Sequence, residues 1–217
     1  GTNGKGSVGS MVSTVLSRGN HSVGLYTSPH LCAFRERFQV DGVPITDNEL
    51  RALVLELRSE IARHELTFFE AATGLAFHYF QRRAVEVAVI EVGLGGRLDS
   101  SNVSESIVSV LTPIDFDHME FLGGDLPSIA REKCGILRKD VPVVTAPQHE
   151  KVMSVIESSS KDKECPLFLT SEVCPVAAAV QSPNGSRFAI GETSIDLPLF
   201  GKYQVINAQT AIATCSL

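Results

Sequence analysis

Gly1-Thr2-Asn3-Gly4-Lys5-Gly6-Ser7 opens the chain, and the reading of this stretch decides the fold. Its glycines permit a tight turn that directs several backbone N–H groups at one anion. Lys5 adds a mobile positive charge, and Ser7 places a hydroxyl where such loops bind Mg²⁺. Val8, Met11, Val12, Val15 and Leu16 then recur at helical spacing, with Gly19 as the stop. The positive end of that helix faces the same anion. A phosphate-binding loop opening a helix is expected, weighed against a glycine-rich turn with an incidental lysine. The full Walker A spacing needs a further glycine upstream of Gly4. The chain begins inside the loop and ends at Leu217 in a helical pattern. The expectation is therefore a longer protein, with its first strand and any N-terminal targeting segment outside this stretch.

Outward from the loop, apolar runs alternate with helical patterns. Ser22–Tyr26 reads as a short buried strand leading into the turn-rich segment Thr27–Leu31. Phe38 and Val40 form an extended piece before the Asp41-Gly42 turn. Helices are expected over Asp47–Arg63, with Thr46 or Asp47 as cap, and over Phe68–Phe80, whose aromatics read as core. Val85–Val92 is nearly continuous in hydrophobicity, as for a central parallel strand covered on both faces. Ile107–Leu111 is a second such strand, a helix is expected near Ser128–Leu137, and Val141–Val144 is another strand. The alternation predicts an α/β fold: a phosphate-loop-containing, mostly parallel sheet with helices on both faces.

Beyond Glu150 a polar helix runs into Ser158–Lys163, read as a solvated loop. Residues 165–200 carry several short strand patterns broken by Pro183-Asn184-Gly185 and Gly191-Glu192, which suggests a small antiparallel excursion. Gly201–Gln204 leads to Asn207 and a last helix.

The 217 residues suit one α/β domain, 1–217, and no apolar run is long enough to span a membrane. A net charge of −6 gives no nucleic-acid signature. The five cysteines form no CxxC pair, so a reducing compartment is the simpler reading: cytoplasmic, or mitochondrial.

Open α/β sheets bind ligands beyond the C-terminal ends of their strands. The loop, Ser28, Glu91 and Asp117-His118 all follow expected strand ends. Together they make a credible Mg²⁺–ATP site. Glu91, between an apolar strand and Gly93-Leu94-Gly95-Gly96, is weighed against a solvent-facing strand-end carboxylate. His118 is weaker alone, because Mg²⁺ prefers oxygen ligands.

At this point the chain resembles the dihydrofolate synthase/folylpolyglutamate synthase family, within the wider Mur-ligase-like ATP-dependent amide ligases. The resembling segments are GTNGKGS (1–7), GLYTSPHL (24–31), FRER (34–37), FFEAAT (68–73), EVGLGGRLD (91–99), DFDH (115–118), LGG (122–124), AREKCGI (130–136) and GKYQVINAQTA (201–211). They cover essentially the whole chain. TSPHL and EVGLGGRLD point to the folate branch over the Mur enzymes.

The resemblance implies that Gly1, Thr2, Asn3, Gly4, Lys5, Gly6, Ser7, Gln204 and Asn207 contact ATP, with Lys5 on its phosphates. It implies a pair of Mg²⁺ ions held by Ser7, Ser28, Glu91, His118 and Lys133, the last as a carbamate, or alternatively an unmodified lysine facing phosphate. Catalysis would rest on Lys5, Glu91, His118 and Lys133. Pro29, His30, Leu31, Phe34, Arg37, Phe69, Glu70 and Thr73 would wall the pterin or pteroate site. Ser101 stands where many relatives have Thr, and Tyr203 where many have His. The family's C-terminal domain, which helps to bind glutamate, lies outside this chain, so the chain alone is expected to bind nucleotide weakly without ligating.

The implied reaction joins L-glutamate to dihydropteroate or a folate through an acyl phosphate, releasing ADP and phosphate, in an enzyme that is monomeric at full length. A Mur-type ligase acting on a UDP-linked substrate, a P-loop NTPase or kinase, and a non-catalytic nucleotide-binding module are the alternatives.

Overall fold

The computed structural model describes residues 3–116 and 119–217. Gly1, Thr2, Asp117 and His118, all named above, lie outside the described residues. In chain order the elements are α1 (Lys5–Arg18), β1 (Val23–Tyr26), a 3-10 turn (Phe34–Arg37), β2 (Phe38–Val40), β3 (Val43–Pro44), α2 (Asp47–Arg63), α3 (Phe68–Arg82) and β4 (Val87–Ile90). They continue with β5 (Ser109–Leu111), α4 (Met119–Leu122), α5 (Leu126–Lys133), β6 (Val143–Thr145), α6 (Glu150–Asp162), β7 (Leu167–Leu169) and α7 (Thr170–Val173). Last come β8 (Val176–Ser182), β9 (Gly185–Ile190), β10 (Thr193–Leu197) and α8 (Lys202–Cys215). No helix among the described residues is long and apolar enough to cross a membrane.

The chain divides into two compact units. One comprises Gly9–Gly93 with Asp99–Val103. Its sheet has the order β3-β2-β1-β4, in which β1 and β4 run parallel and β2 and β3 are antiparallel. Tyr26, Phe38, Leu53, Leu75, Tyr79 and Phe80 form its core. Gly24 is required there, because a Cβ would sit 2.7 Å from the Phe80 ring. Both helices start as their sequences dictate. Thr46 and Thr67 each accept the N–H of the residue three on, and Glu49 and Glu70 reach back to the cap N–H. These reciprocal bonds satisfy donors that a helix N-terminus otherwise leaves open.

β4 is a parallel strand shorter than the apolar run suggests. It spans only Val87–Ile90, pairs with β1 alone among the described residues, and leaves Ala88 exposed and the other three half-buried.

The other unit comprises Gly1–Val8, Leu94–Leu98 and Ser104–Leu217. Its parallel sheet has the order β5-β6-β7, and Leu111, Ile129, Leu137, Val143, Val152 and Ile156 form its main core. Leu167–Leu169 pairs in parallel with β6, so it belongs to this sheet and not to an antiparallel excursion. The antiparallel sheet is β10-β9-β8, covering 176–197. Residues 158–162 are helical, not loop: α6 runs to Asp162 because Val152, Ile156 and Ser160 continue one buried face. Gln209 of α8 donates to the carbonyls of Thr170 and Cys174, at 3.3 and 2.7 Å, and so satisfies acceptors at the end of α7.

Candidate nucleotide and substrate sites

The phosphate loop belongs to the second unit. Gly4 has φ +81°, a backbone that side-chain-bearing residues rarely adopt, and α1 starts immediately after it. Val8 N donates to Gly4 O at 2.9 Å. The N–H groups before Val8 have no intrahelical acceptor, and no acidic residue occupies the first turn. Lys5, Gly6 and Ser7 are half-buried. Such a helix terminus suits an anion.

α8 builds the floor of the loop. The buried Asn207 amide lies where a Gly4 Cβ would go, and Asn207 Nδ2 donates to Gln204 Oε1 at 3.1 Å. Gly4 and Asn207, from two distant segments singled out from the sequence, therefore meet. The glycine is needed twice, for its φ and for its lack of a side chain.

Lys133 ends α5 and is half-buried. The glycine segment packs against this helix end: a Cβ on Gly96 would stand 2.8 Å from the Glu132 and Lys133 carbonyls. Arg97 N donates to Glu132 O at 3.0 Å, and its guanidinium meets Glu132 Oε1 at 3.1 Å.

In the other unit, parallel pairing puts Tyr26 opposite Ile90, so the residues beyond both strands leave the sheet together. Ser28 N donates to Glu91 Oε2 at 3.1 Å, and Glu91 N donates to Tyr26 O at 2.9 Å. Glu91 is buried, 7% exposed. Among the described residues no group of three or more His, Cys, Asp or Glu side chains could hold a metal. The donors present are a buried carboxylate and a neighbouring hydroxyl, which fit Mg²⁺, an ion that takes oxygen ligands and keeps waters and substrate phosphates for the rest of its shell.

The expected substrate wall is partly assembled. Pro29 and Leu31 are exposed, Leu31 at 93%. Glu36 accepts the N–H groups of Leu31, Cys32 and Ala33 at 2.7–3.3 Å, and these bonds hold its carboxyl below the usual glutamate range. Arg37 Nε donates to His30 Nδ1 at 3.0 Å, and the guanidinium lies 5.7 Å from the Phe34 ring and 5.6 Å from the Phe68 ring. Phe69 approaches Tyr26 at 6.3 Å between ring centroids, and Gly93 leaves the space its ring fills. Thr73 Oγ1 joins Ser100 Oγ at 2.9 Å and Tyr26 OH at 3.3 Å. Burial pushes the Tyr26 pKa up, against the opposing pull of Thr73 and the Arg37 charge. Glu70 is exposed and its carboxylate is engaged with Thr67 at the cap of α3.

Ser100 joins these clusters from outside the resembling segments, while Tyr26, Phe68 and Gly93 lie within segments 24–31, 68–73 and 91–99 without an individual role there. The signal for Ser100 was adjacency to the 91–99 motif. Tyr26 read as part of a buried strand, and only contact reveals the bond between its hydroxyl and Thr73.

The Mur ligase middle domain model matches residues 1–215. The chain belongs to the Mur ligase middle domain family. Among curated relatives, it is 34% identical to the dihydrofolate synthase/folylpolyglutamate synthase of Bacillus subtilis, over 98% of this chain and 52% of that protein. It is 36% identical to the folylpolyglutamate synthase of Lacticaseibacillus casei, over 100% of this chain and 54% of that protein. A solved FPGS–AMPPCP–folate complex superposes with a TM-score of 0.90 at 34% identity, covering 99% of this chain and 56% of the other. The chain spans about half the length of the curated relatives it matches.

Proposed function

We propose that this chain is the ATP-binding domain, residues 1–217, of an amide ligase that joins L-glutamate to dihydropteroate or a folate, acting as a monomer. One observation carries the reading: the likeness along 99% of the chain to a folylpolyglutamate synthase whose solved complex holds an ATP analogue and folate. The phosphate loop over Asn207 and the Ser28–Glu91 pair support it locally. The free cysteines fit a reducing compartment, cytoplasmic or mitochondrial.

In this reading a carboxylate oxygen of the acceptor attacks the γ-phosphorus of ATP, the bond to the β,γ-bridging oxygen breaks, and ADP leaves. The amine of glutamate attacks the resulting acyl carbon, loses a proton, and phosphate departs. The chain has to position reactants and neutralise crowded oxygens; no covalent nucleophile is needed. Lys5 and the N–H groups of Gly1–Ser7 hold the phosphates, and Gln204 and Asn207 fix the loop. Ser7, Ser28, Glu91, His118 and Lys133 as its carbamate would hold a pair of Mg²⁺ ions, which supply charge neutralisation at the phosphoryl oxygens. Pro29, His30, Leu31, Phe34, Arg37, Phe69, Glu70 and Thr73 line the acceptor's path. The glutamate-binding surface is assigned to the part of the complete protein outside 1–217.

The test is isotopic. With the acceptor carboxylate labelled with heavy oxygen, the complete protein should transfer one label to inorganic phosphate per amide formed. Product without labelled phosphate would overturn the acyl-phosphate route, and reaction only with a UDP-linked acceptor would move the protein to the Mur branch.

A further inference from the structure

The ladder that joins β5 to β6 is finished by a side chain. Ala146 N donates to Leu111 O at 2.9 Å. In this parallel register the next bond would run from residue 113 to Ala146 O, but residue 113 is a proline and has no N–H. Thr145 Oγ1 donates to that carbonyl instead, at 3.1 Å. Gln148 then closes the network. Its Nε2 donates to Thr112 O and to Thr145 Oγ1, both at 3.1 Å, and its Oε1 accepts Ile114 N at 2.9 Å. The two backbone partners fix which end of the amide is which, because a carbonyl accepts and an N–H donates. An amide bonded to the carbonyl before Pro113 and the N–H after it supplies what a neighbouring parallel strand would supply.

The amide is held from behind. Gln148 lies between Pro147 and His149, and His149 caps α6 by accepting Lys151 N at 3.2 Å. Val152 and Ile156 of α6 are fully buried, as is Thr145 at the end of β6. On the facing side the buried Ile114 anchors its own side chain, while the bond to its N–H sets the plane of the peptide there. The chain leaves β5 at this point, at the strand end where open α/β sheets gather ligands. The sequence then runs Asp115-Phe116-Asp117-His118, and the ligase reading assigns His118 to Mg²⁺. Gln148 itself lies outside every segment that carries the family resemblance.

We propose that Gln148 is a positioning residue for phosphoryl transfer: its amide sets the direction in which the chain leaves β5 toward His118. The inference rests on the ligase reading above and extends it to a residue that touches no reactant. Gln148 acts through the backbone of Thr112 and Ile114. Outer groups that orient a metal ligand typically matter ten- to a hundred-fold in metal affinity or activity.

The experiment uses the complete protein with Mn²⁺ in place of Mg²⁺ and AMPPCP as a non-reacting nucleotide. Pulsed electron paramagnetic resonance reads the coupling of bound Mn²⁺ to an imidazole nitrogen, a signature that lower stability alone does not move. The unmodified protein should show the coupling and His118→Ala should lose it. Gln148→Met keeps the side chain's length and removes its three hydrogen bonds. It should lose or shift the coupling while AMPPCP affinity stays within about threefold. With Mg²⁺–ATP its kcat should fall roughly ten- to a hundred-fold, and KM for the acceptor should change less than about threefold. Gln148→Glu keeps the acceptor for Ile114 N but turns an oxygen toward the Thr112 carbonyl, and should move both readouts the same way; it serves as the test if the methionine variant does not fold. A coupling unchanged in the variants, or an unchanged kcat, would overturn the assignment. An unmodified protein without nitrogen coupling would remove His118 from the metal and this inference with it, and the isotopic test of ligation would stand apart from that failure.

Discussion

Gly4→Ala probes the phosphate loop from two directions. The added methyl forces a side chain into a backbone with φ +81°, at about 1–2 kcal/mol. It also lands on the Asn207 amide, a buried group already bonded to Gln204, and such overpacking is worth about 1–3 kcal/mol more. The single variant should lose about 2–5 kcal/mol. Asn207→Ala removes the obstacle together with one buried hydrogen bond, and alone should lose about 1–3 kcal/mol. Combined, the two changes should lose less than their sum by about 1–3 kcal/mol, because the collision disappears while the backbone term stays. Urea unfolding of the complete protein, the two single variants and the double variant measures each quantity. Losses that add to within about 0.5 kcal/mol would mean that Asn207 does not lie against the loop, and the reasoning fails.

Three further outcomes follow from the same structure. Gly24→Ala should destabilise by about 1–3 kcal/mol through the Phe80 ring, whereas Gly74→Ala, with nothing within 4 Å on α3, should stabilise by about 0.5–1 kcal/mol; melting shifts of the same sign would contradict this. The lowered pKa of Glu36 means that its contribution is complete above the ordinary glutamate value of 4.5 and is lost as pH falls through the lowered one. Amide exchange at Leu31, Cys32 and Ala33, corrected for intrinsic rates, should speed up across that window and in Glu36→Gln at neutral pH, and protection unchanged in both would refute the bonding. Glu91→Gln should cut turnover roughly a hundred-fold or more while ATP affinity changes less than about threefold, and equal losses at saturating Mg²⁺ would count against Glu91 acting in the transition state.

The parts of the fold written in local sequence were legible. α2 runs Asp47–Arg63 as its apolar stripe and capping residues dictate, and β1 ends where the turn-rich TSPHL segment begins. What depends on a distant neighbour was not. Leu167–Leu169 could not say that its partner is the parallel β6. Ser158–Lys163 is polar enough for a loop, yet one buried face carries α6 through to Asp162. For the site, residue types and order made the loop, Ser28 and Glu91 candidates, and Ser28 N bonds to the Glu91 carboxylate. That Asn207 occupies the space a Gly4 side chain would need, or that Glu70 serves its own helix, depends on three-dimensional contact.

The most direct test is glutamate-dependent ADP release by the complete protein with Mg²⁺–ATP, comparing dihydropteroate with tetrahydrofolate monoglutamate. The account predicts that ADP appears only when acceptor and glutamate are both present, in step with amide formation. ADP release that ignores glutamate, or that occurs with neither acceptor, would contradict it and leave a nucleotide-binding domain alone.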